Sequence, residues 1–201
     1  MAFLEKDLQA SPIDQFQLWF RDAEAKMGRE WATAMCLSTL DLNGFPDGRM
    51  VLLKEFDAKG FVFYTNLHST KGRSLAGHPQ AALTFYWQPF ERQVRIQGST
   101  ELLSDAEADA YYHSRARLSQ LGAWASQQSQ PLKSRFTLLR EVVRVALRYP
   151  VGPIPRPPTW NGFRIKPIKI EFWQAGAHRL HDRFVYEKQS GGSWSVTRLY
   201  P

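Results

Sequence analysis

Apolar residues recur at helical spacing after Ser11-Pro12. Ile13, Phe16, Trp19, Phe20 and Ala23 follow intervals of three and four, which predicts an amphipathic helix over residues 12–28. The period then shortens. Residues 32–41 read as a strand, Asn43-Gly44 as a hairpin turn, Arg49–Phe56 as a second strand, Asp57–Gly60 as a turn and Phe61–Leu67 as a third strand. Connections this short leave no room for helical crossovers, so the strands form an antiparallel meander. A short helix follows Ser69 and ends by His78-Pro79, and strands fit 81–87 and 92–103. Ser104-Asp105-Ala106-Glu107 is a capping box opening a helix to about Ser114. Residues 132–149 predict a further helix with Leu138, Leu139, Val142, Ala146 and Tyr149 as its apolar stripe. Residues 150–158 hold five prolines, a stiff connector too short to separate domains. Strand-like segments follow at 162–173, 178–187 and 193–199, with Gly191-Gly192 as the last turn. No repeat is present. The order predicts one α+β domain over 1–201, an antiparallel sheet closed as a barrel with peripheral helices.

Composition narrows the class. With 201 residues and 43% hydrophobic content the chain can bury an ordinary core and is not disordered. No apolar run approaches the roughly 20 residues of a membrane-spanning helix. Residues 1–7 carry acids where a secretory signal needs an apolar core, so a soluble cytoplasmic protein without membrane association is expected. Cys36, the single cysteine, excludes intrachain disulfides; it reads as a small buried hydrophobe. The net charge of +7 suits nucleic acid or phosphorylated small molecules equally. Arg140, Arg144 and Arg148 line up on one helix face. With no aromatics between them they read as a solvated face, the alternative being a nucleic-acid or membrane patch. The five histidines show no paired ligand spacing, so no metal is expected. The usual nucleotide-binding and nucleophile-elbow motifs are absent.

Four constellations suit phosphate or another anion. Arg179, His181 and Arg183 alternate on a predicted strand and would share one face, with an exposed strand face as the plain alternative. Tyr111, Arg115 and Ser119 fall at i, i+4 and i+8, so on a continuous helix they would offer a phenol, a guanidinium and a hydroxyl from one side. Arg49 and Lys54 flank Met50, Val51, Leu52 and Leu53; their opposite parity on a strand predicts different partners on different faces. Tyr64 and Thr65 lead to Ser69-Thr70-Lys71 at a helix start, a plausible anion site. Each is weak alone. Four sets in one small basic domain carry more weight.

The residues then resemble a known family, the pyridoxamine (pyridoxine) 5′-phosphate oxidases. The resemblance runs through RMVLLK (49–54), FYTN (63–66), ERQV (91–94), YHSR (112–115), SQLGAWAS (119–126), QQS (127–129) and IEFWQAGAHRLHDRF (170–184), in order. It implies a homodimeric split β-barrel with FMN at the subunit interface. By position it implies that Arg49, Met50, Val51, Leu52, Leu53, Lys54, Tyr64, Thr65, Thr70 and Lys71 contact FMN. Gln93, Gln128, Ser129, Trp173 and Arg183 complete that shell. Lys54, Tyr111, Arg115 and Ser119 would hold the substrate phosphate, and Arg179, Leu180 and His181 would lie against the pyridine ring, with Arg179 and His181 as the catalytic pair. The implied reaction oxidises C4′ of pyridoxamine or pyridoxine 5′-phosphate to pyridoxal 5′-phosphate, with O2 as acceptor and H2O2 as product. One departure stands out. Where the family commonly has Ser-Arg-Lys, this chain has Ser69-Thr70-Lys71, keeping a hydroxyl and losing a charge. Alternatives are a same-fold flavin oxidase of the phenazine-biosynthesis type and a non-catalytic module binding flavin, haem or nucleic acid.

Overall fold

Ser11 opens the first helix, α1 (Pro12–Met27), by accepting a hydrogen bond from Ile13 N, with Pro12 at the first helical position. Gly28, at φ 81°, ends it. The computed structural model describes residues 3–201. After a single turn, α2 (Arg29–Ala32), come β1 (Ala34–Leu40), β2 (Pro46–Leu52), β3 (Glu55–Asp57) and β4 (Gly60–Asn66). Next are α3 (Thr70–Gly77), β5 (Gln80–Trp87), β6 (Arg92–Leu102), α4 (Asp105–Ser114), α5 (Arg117–Ala125) and α6 (Arg135–Arg148). The chain ends with β7 (Trp160–Gln174), β8 (Asp182–Lys188) and β9 (Trp194–Arg198). Among the described residues no helix is long and apolar enough to cross a membrane.

All strand pairs are antiparallel, in the order β2-β1-β5-β6-β7-β4-β3, with β8 on β7 and β9 on β8. The ends of that path, β2 and β3, are consecutive in sequence. Leu53 N bonds Thr33 O at the β1 side, and Lys54 N bonds Val62 O of β4. This two-residue crossing closes the sheet into a barrel, so the single strand expected over Arg49–Phe56 is two strands joined by the closure. The long β7 splits the barrel: its first half pairs with β4 and its second half with β8. A bulge at Ile168 of β7, opposite Gln97/Gly98 of β6, marks the division.

α1 plugs the barrel. Phe16 is fully buried, its ring 4.9 Å from Phe56 and Phe61 and 5.1 Å from Phe85. A smaller core joins α5 to α6 through Leu121, Ala125, Val145 and Ile154. Leu139 of the expected α6 stripe is exposed, and Val145 is the buried residue. Arg144 pairs with Glu141, and Arg148 lies over Trp124 and Tyr149. Cys36 is only half-buried, since β1 turns Met35 and Leu37 inward instead.

Candidate active site

A cleft of about 750 Å³ opens beside the barrel closure, walled by β2, β4, the α4–α5 junction, the loop after α5 and the start of β7. Arg49 and Lys54 both line it. The expectation that they face different sides fails because the strand ends at Leu52 and the chain turns through the closure. Leu53 is buried in the barrel core and is absent from the lining. Arg49 donates to Leu37 O (3.2 Å) and Thr39 Oγ1 (2.8 Å) and pairs with Asp47. Lys54, Lys71 and Arg115, by contrast, form no ion pair among the described residues. Burial, then Arg115 and Arg29, pulls Lys54 below the usual lysine range. Burial and Arg49 do the same to Lys71, and burial lowers Arg115. Three partly desolvated cations without a carboxylate ion pair are arranged for anions.

Tyr111, Arg115 and Ser119 also line the cleft, but not from a continuous helix. α4 ends at Ser114, and Arg115, at ψ 150°, is extended. Gln120 Nε2 caps the break by donating to Arg115 O (2.8 Å), and Tyr112 donates its hydroxyl hydrogen to Gln120 O (3.0 Å). Arg115 Nη1 is buried with no hydrogen-bond partner. Beside it stand three parallel rings. Tyr64 lies 4.0 Å from Tyr111 and 5.1 Å from Trp160, centroid to centroid, with planes within 10°. Gly162, opposite Tyr64 on β7, makes room: a Cβ there would meet the Tyr64 ring at 2.8 Å. Burial pushes the Tyr111 hydroxyl pKa up, and that of Tyr64 as well, so both remain hydroxyl donors.

At the other end Gln128 Oε1 accepts from Thr65 Oγ1 (3.3 Å) and Lys71 Nζ (3.2 Å). Ser129, at φ 69°, accepts from Thr70 N (3.1 Å). Thr65, Lys71 and Gln128 line the cleft; Thr70 and Ser129 do not. The sequence reading missed Trp160 and Ser126, which also line it. The clue to Trp160 was an aromatic at the end of the proline connector.

The remaining predicted residues form a second group. Gln93, Trp173 and Arg183 are paired in one row across β6, β7 and β8, and the His181 ring lies 4.7 Å from that of Trp173. Arg183 donates to Glu171 Oε1 (2.9 Å) and to Tyr200 O (3.0 Å). Arg179 and His181 are not on a strand, as had been expected. Residues 177–179 form a 3-10 turn, with His178 and Arg179 at φ 55° and 66°, and β8 starts only at Asp182. Gly176 N donates to His181 Nδ1 (3.2 Å) across this tight loop, and Leu180 is exposed. None of this group lines the cleft.

Met50 and Leu52 of the cleft share a sheet face with the second group, whereas Arg49 and Val51 alternate to the other. The row Met50–Cys36–Thr84–Arg95–Glu171–Val185 runs across β2, β1, β5, β6, β7 and β8. Gln93, Trp173 and Arg183 lie two residues along from its far end. Five strand spacings separate β2 from β8, roughly 24 Å along the sheet. Met50 and Tyr86 on this face are more than half exposed.

Residues 22–149 match the family model described as "Pyridoxamine 5'-phosphate oxidase". Residues 160–201 match "Pyridoxine 5'-phosphate oxidase C-terminal dimerisation region". A pyridoxine/pyridoxamine 5′-phosphate oxidase of Maricaulis maris is 54% identical over 94% of this chain and 86% of its own. One of Azorhizobium caulinodans is 53% identical over 94% and 90%. Among solved structures, PhzG from Burkholderia lata, in complex with tetrahydrophenazine-1-carboxylic acid, superposes with TM-score 0.91 at 32% identity, covering 100% of this chain and 98% of its own. An FMN-binding protein of Nostoc punctiforme shares the fold, with TM-score 0.75 at 16% identity over 96% and 100%.

Proposed function

The chain belongs to the pyridoxine/pyridoxamine 5′-phosphate oxidase family, and from that premise we propose that it oxidises pyridoxamine or pyridoxine 5′-phosphate to pyridoxal 5′-phosphate with FMN and O2. The observation that carries the reading is the pair of anion-ready ends in one cleft. Lys54, Tyr111, Ser119 and the unpartnered Arg115 Nη1 suit a substrate phosphate. Arg49, Lys71, Thr65 and Gln128, backed by Ser129 and the Thr70 amide, suit the FMN phosphate. Met50, Val51 and Leu52 would run along the cofactor, with Tyr64 beside it. FMN, when bound, supplies the two-electron acceptor and returns the pair to O2 as H2O2. The alcohol then leaves as aldehyde, and the amine as aldehyde and ammonia after one water is added.

The protein's own part is to bind and orient. The phosphate grip holds the substrate far from C4′, fixing the reacting carbon without touching it. Arg179, Leu180 and His181 lie against the pyridine ring, where His181 takes a proton from the C4′ substituent. Since these residues with Gln93, Trp173 and Arg183 stand away from the cleft in one chain, a homodimer is needed to bring one protomer's row to its partner's cleft. Two observations favour this: the exposed apolar residues on the shared sheet face, and the dimerisation-region match over β7–β9.

The likeness to PhzG favours a second reading, a flavin oxidase of a phenazine-type substrate. It gives no reason for a phosphate grip around Arg115. Purified protein loaded with FMN and given pyridoxine 5′-phosphate under air decides between them. Formation of pyridoxal 5′-phosphate and H2O2 is expected, with far slower turnover of unphosphorylated pyridoxine. Neither product forming would overturn the proposal.

A further inference from the structure

Arg115 is half-buried beside the cleft, with its Nη1 buried and unsatisfied and no carboxylate partner. A long side chain so placed needs something to hold it before an anion arrives. The structure supplies a ring face: the Arg115 guanidinium carbon lies 4.9 Å from the Trp160 centroid. The same indole lies parallel to Tyr64 and, at 3° and 6.2 Å, to Tyr111.

Trp160 is itself pinned. Only 6% of it is exposed. Its carbonyl accepts from Arg156 Nη1 (2.8 Å), while Arg156 Nη2 and Nε bind Asp105 (2.6 Å) and Asp109 (2.5 Å) of α4. One guanidinium thus ties the peptide carrying Trp160 to the helix carrying Tyr111. Farther along β7, Arg164 adds a second tie, to Glu107 of α4 (3.1 Å) and to Asp57 (3.0 Å).

We infer that Trp160, locked to α4 by Arg156, is a positioning residue that holds Arg115 and Tyr111 ready for a phosphate monoester. It acts on affinity for the phosphate and not on the oxidation step, because it fixes donors remote from the reacting carbon. The inference rests on the reading of Tyr111, Arg115 and Ser119 as the substrate's phosphate grip.

Steady-state kinetics on the FMN-loaded full-length protein test it, with pyridoxine 5′-phosphate as substrate and inorganic phosphate as competing inhibitor. Trp160→Leu keeps apolar bulk and loses the ring face. KM and the phosphate inhibition constant should each rise about tenfold, with kcat within about twofold of wild type. FMN affinity, read from flavin fluorescence quenching, should not change. Trp160→Phe should recover most of the loss. Arg156→Gln, outside the cleft lining, should move the same two constants in the same direction by a smaller factor. Wild-type constants in Trp160→Leu, together with raised ones in Arg115→Ala, would overturn the positioning role while sparing the grip. Unchanged constants in Arg115→Ala would overturn the grip and the inference with it. If Trp160→Leu does not fold, wild-type constants in Arg156→Gln, or a kcat loss without a KM change in Trp160→Phe, would overturn it.

Discussion

Lys54 and Lys71 show how single residues set the character of the cleft. Burial and neighbouring cations hold both below the usual 10.5. Between its lowered folded pKa and the ordinary unfolded value, such a lysine binds fewer protons folded than unfolded. Folding without an anion is therefore opposed at neutral pH, and the opposition fades as pH climbs through the lowered values. A bound dianion removes the opposition. Inorganic phosphate should then raise the melting temperature at neutral pH, with a gain that shrinks in alkaline solution as the lysines lose their protons; an undiminished gain there would contradict the assignment. Thr70 makes the converse case. Its amide already bonds Ser129 beside the anion-ready end, but the side chain brings no charge. Thr70→Arg should tighten FMN binding about tenfold at low ionic strength and less in high salt, as flavin fluorescence would report; an unchanged affinity would place that arginine outside the phosphate's reach. Residue types at this scale were legible in the sequence, since Arg49, Lys54, Tyr111, Arg115 and Ser119 were all singled out and all reach one cleft. Trp160 was not, because its role comes from a neighbour, Arg115, 45 positions away in the chain.

Local signals predicted the elements well where the cause is local. Ser11-Pro12 opens α1, Asn43-Gly44 turns the first hairpin, and the Ser104–Glu107 capping box opens α4 with both its bonds formed. Two breaks and one helix escaped notice, each for a nonlocal or unusual reason. The crossing at Leu53–Lys54 is imposed by barrel closure, which no pattern within residues 49–56 reveals. The end of α4 at Ser114 was legible, but α5 (Arg117–Ala125) was not: the break before it at Arg115 carries neither Gly nor Pro and is capped by Gln120 of α5 itself. The loop before β8 relies on positive φ at His178 and Arg179, which residue type does not announce. Element packing also makes a prediction. A Cβ at position 162 would meet Leu103 Cδ1 at 2.6 Å and the Tyr64 ring at 2.8 Å. Gly162→Ala should therefore cost about 1–3 kcal/mol in denaturant unfolding and weaken substrate binding through the displaced Tyr64. Wild-type stability and KM would show that the ring stack is more adaptable than its spacing suggests.

For the whole molecule, the class and the antiparallel barrel followed from element order, whereas the strand order, with β1 beside β5 and β4 beside β7, and the division of the site did not. The family resemblance put Arg183 and Arg49 in one cofactor shell; the sheet register sets them at opposite ends of a six-strand run and, by strand alternation, on opposite faces of it. A two-fold dimer resolves this, since each protomer then offers a cleft and a row to its partner. Two inactive variants test that arrangement most directly: one defective in the cleft, Arg49→Ala with Lys71→Ala, the other in the row, Trp173→Ala with Arg183→Ala. After mixing, unfolding and refolding together with FMN, random pairing makes half of the dimers hybrid, each with one intact site and one doubly defective site. The rate of pyridoxal 5′-phosphate formation under air should then return to roughly a quarter of the wild-type value. If the mixture stays as inactive as its parents while refolded wild type recovers, the cleft and the row do not combine across subunits.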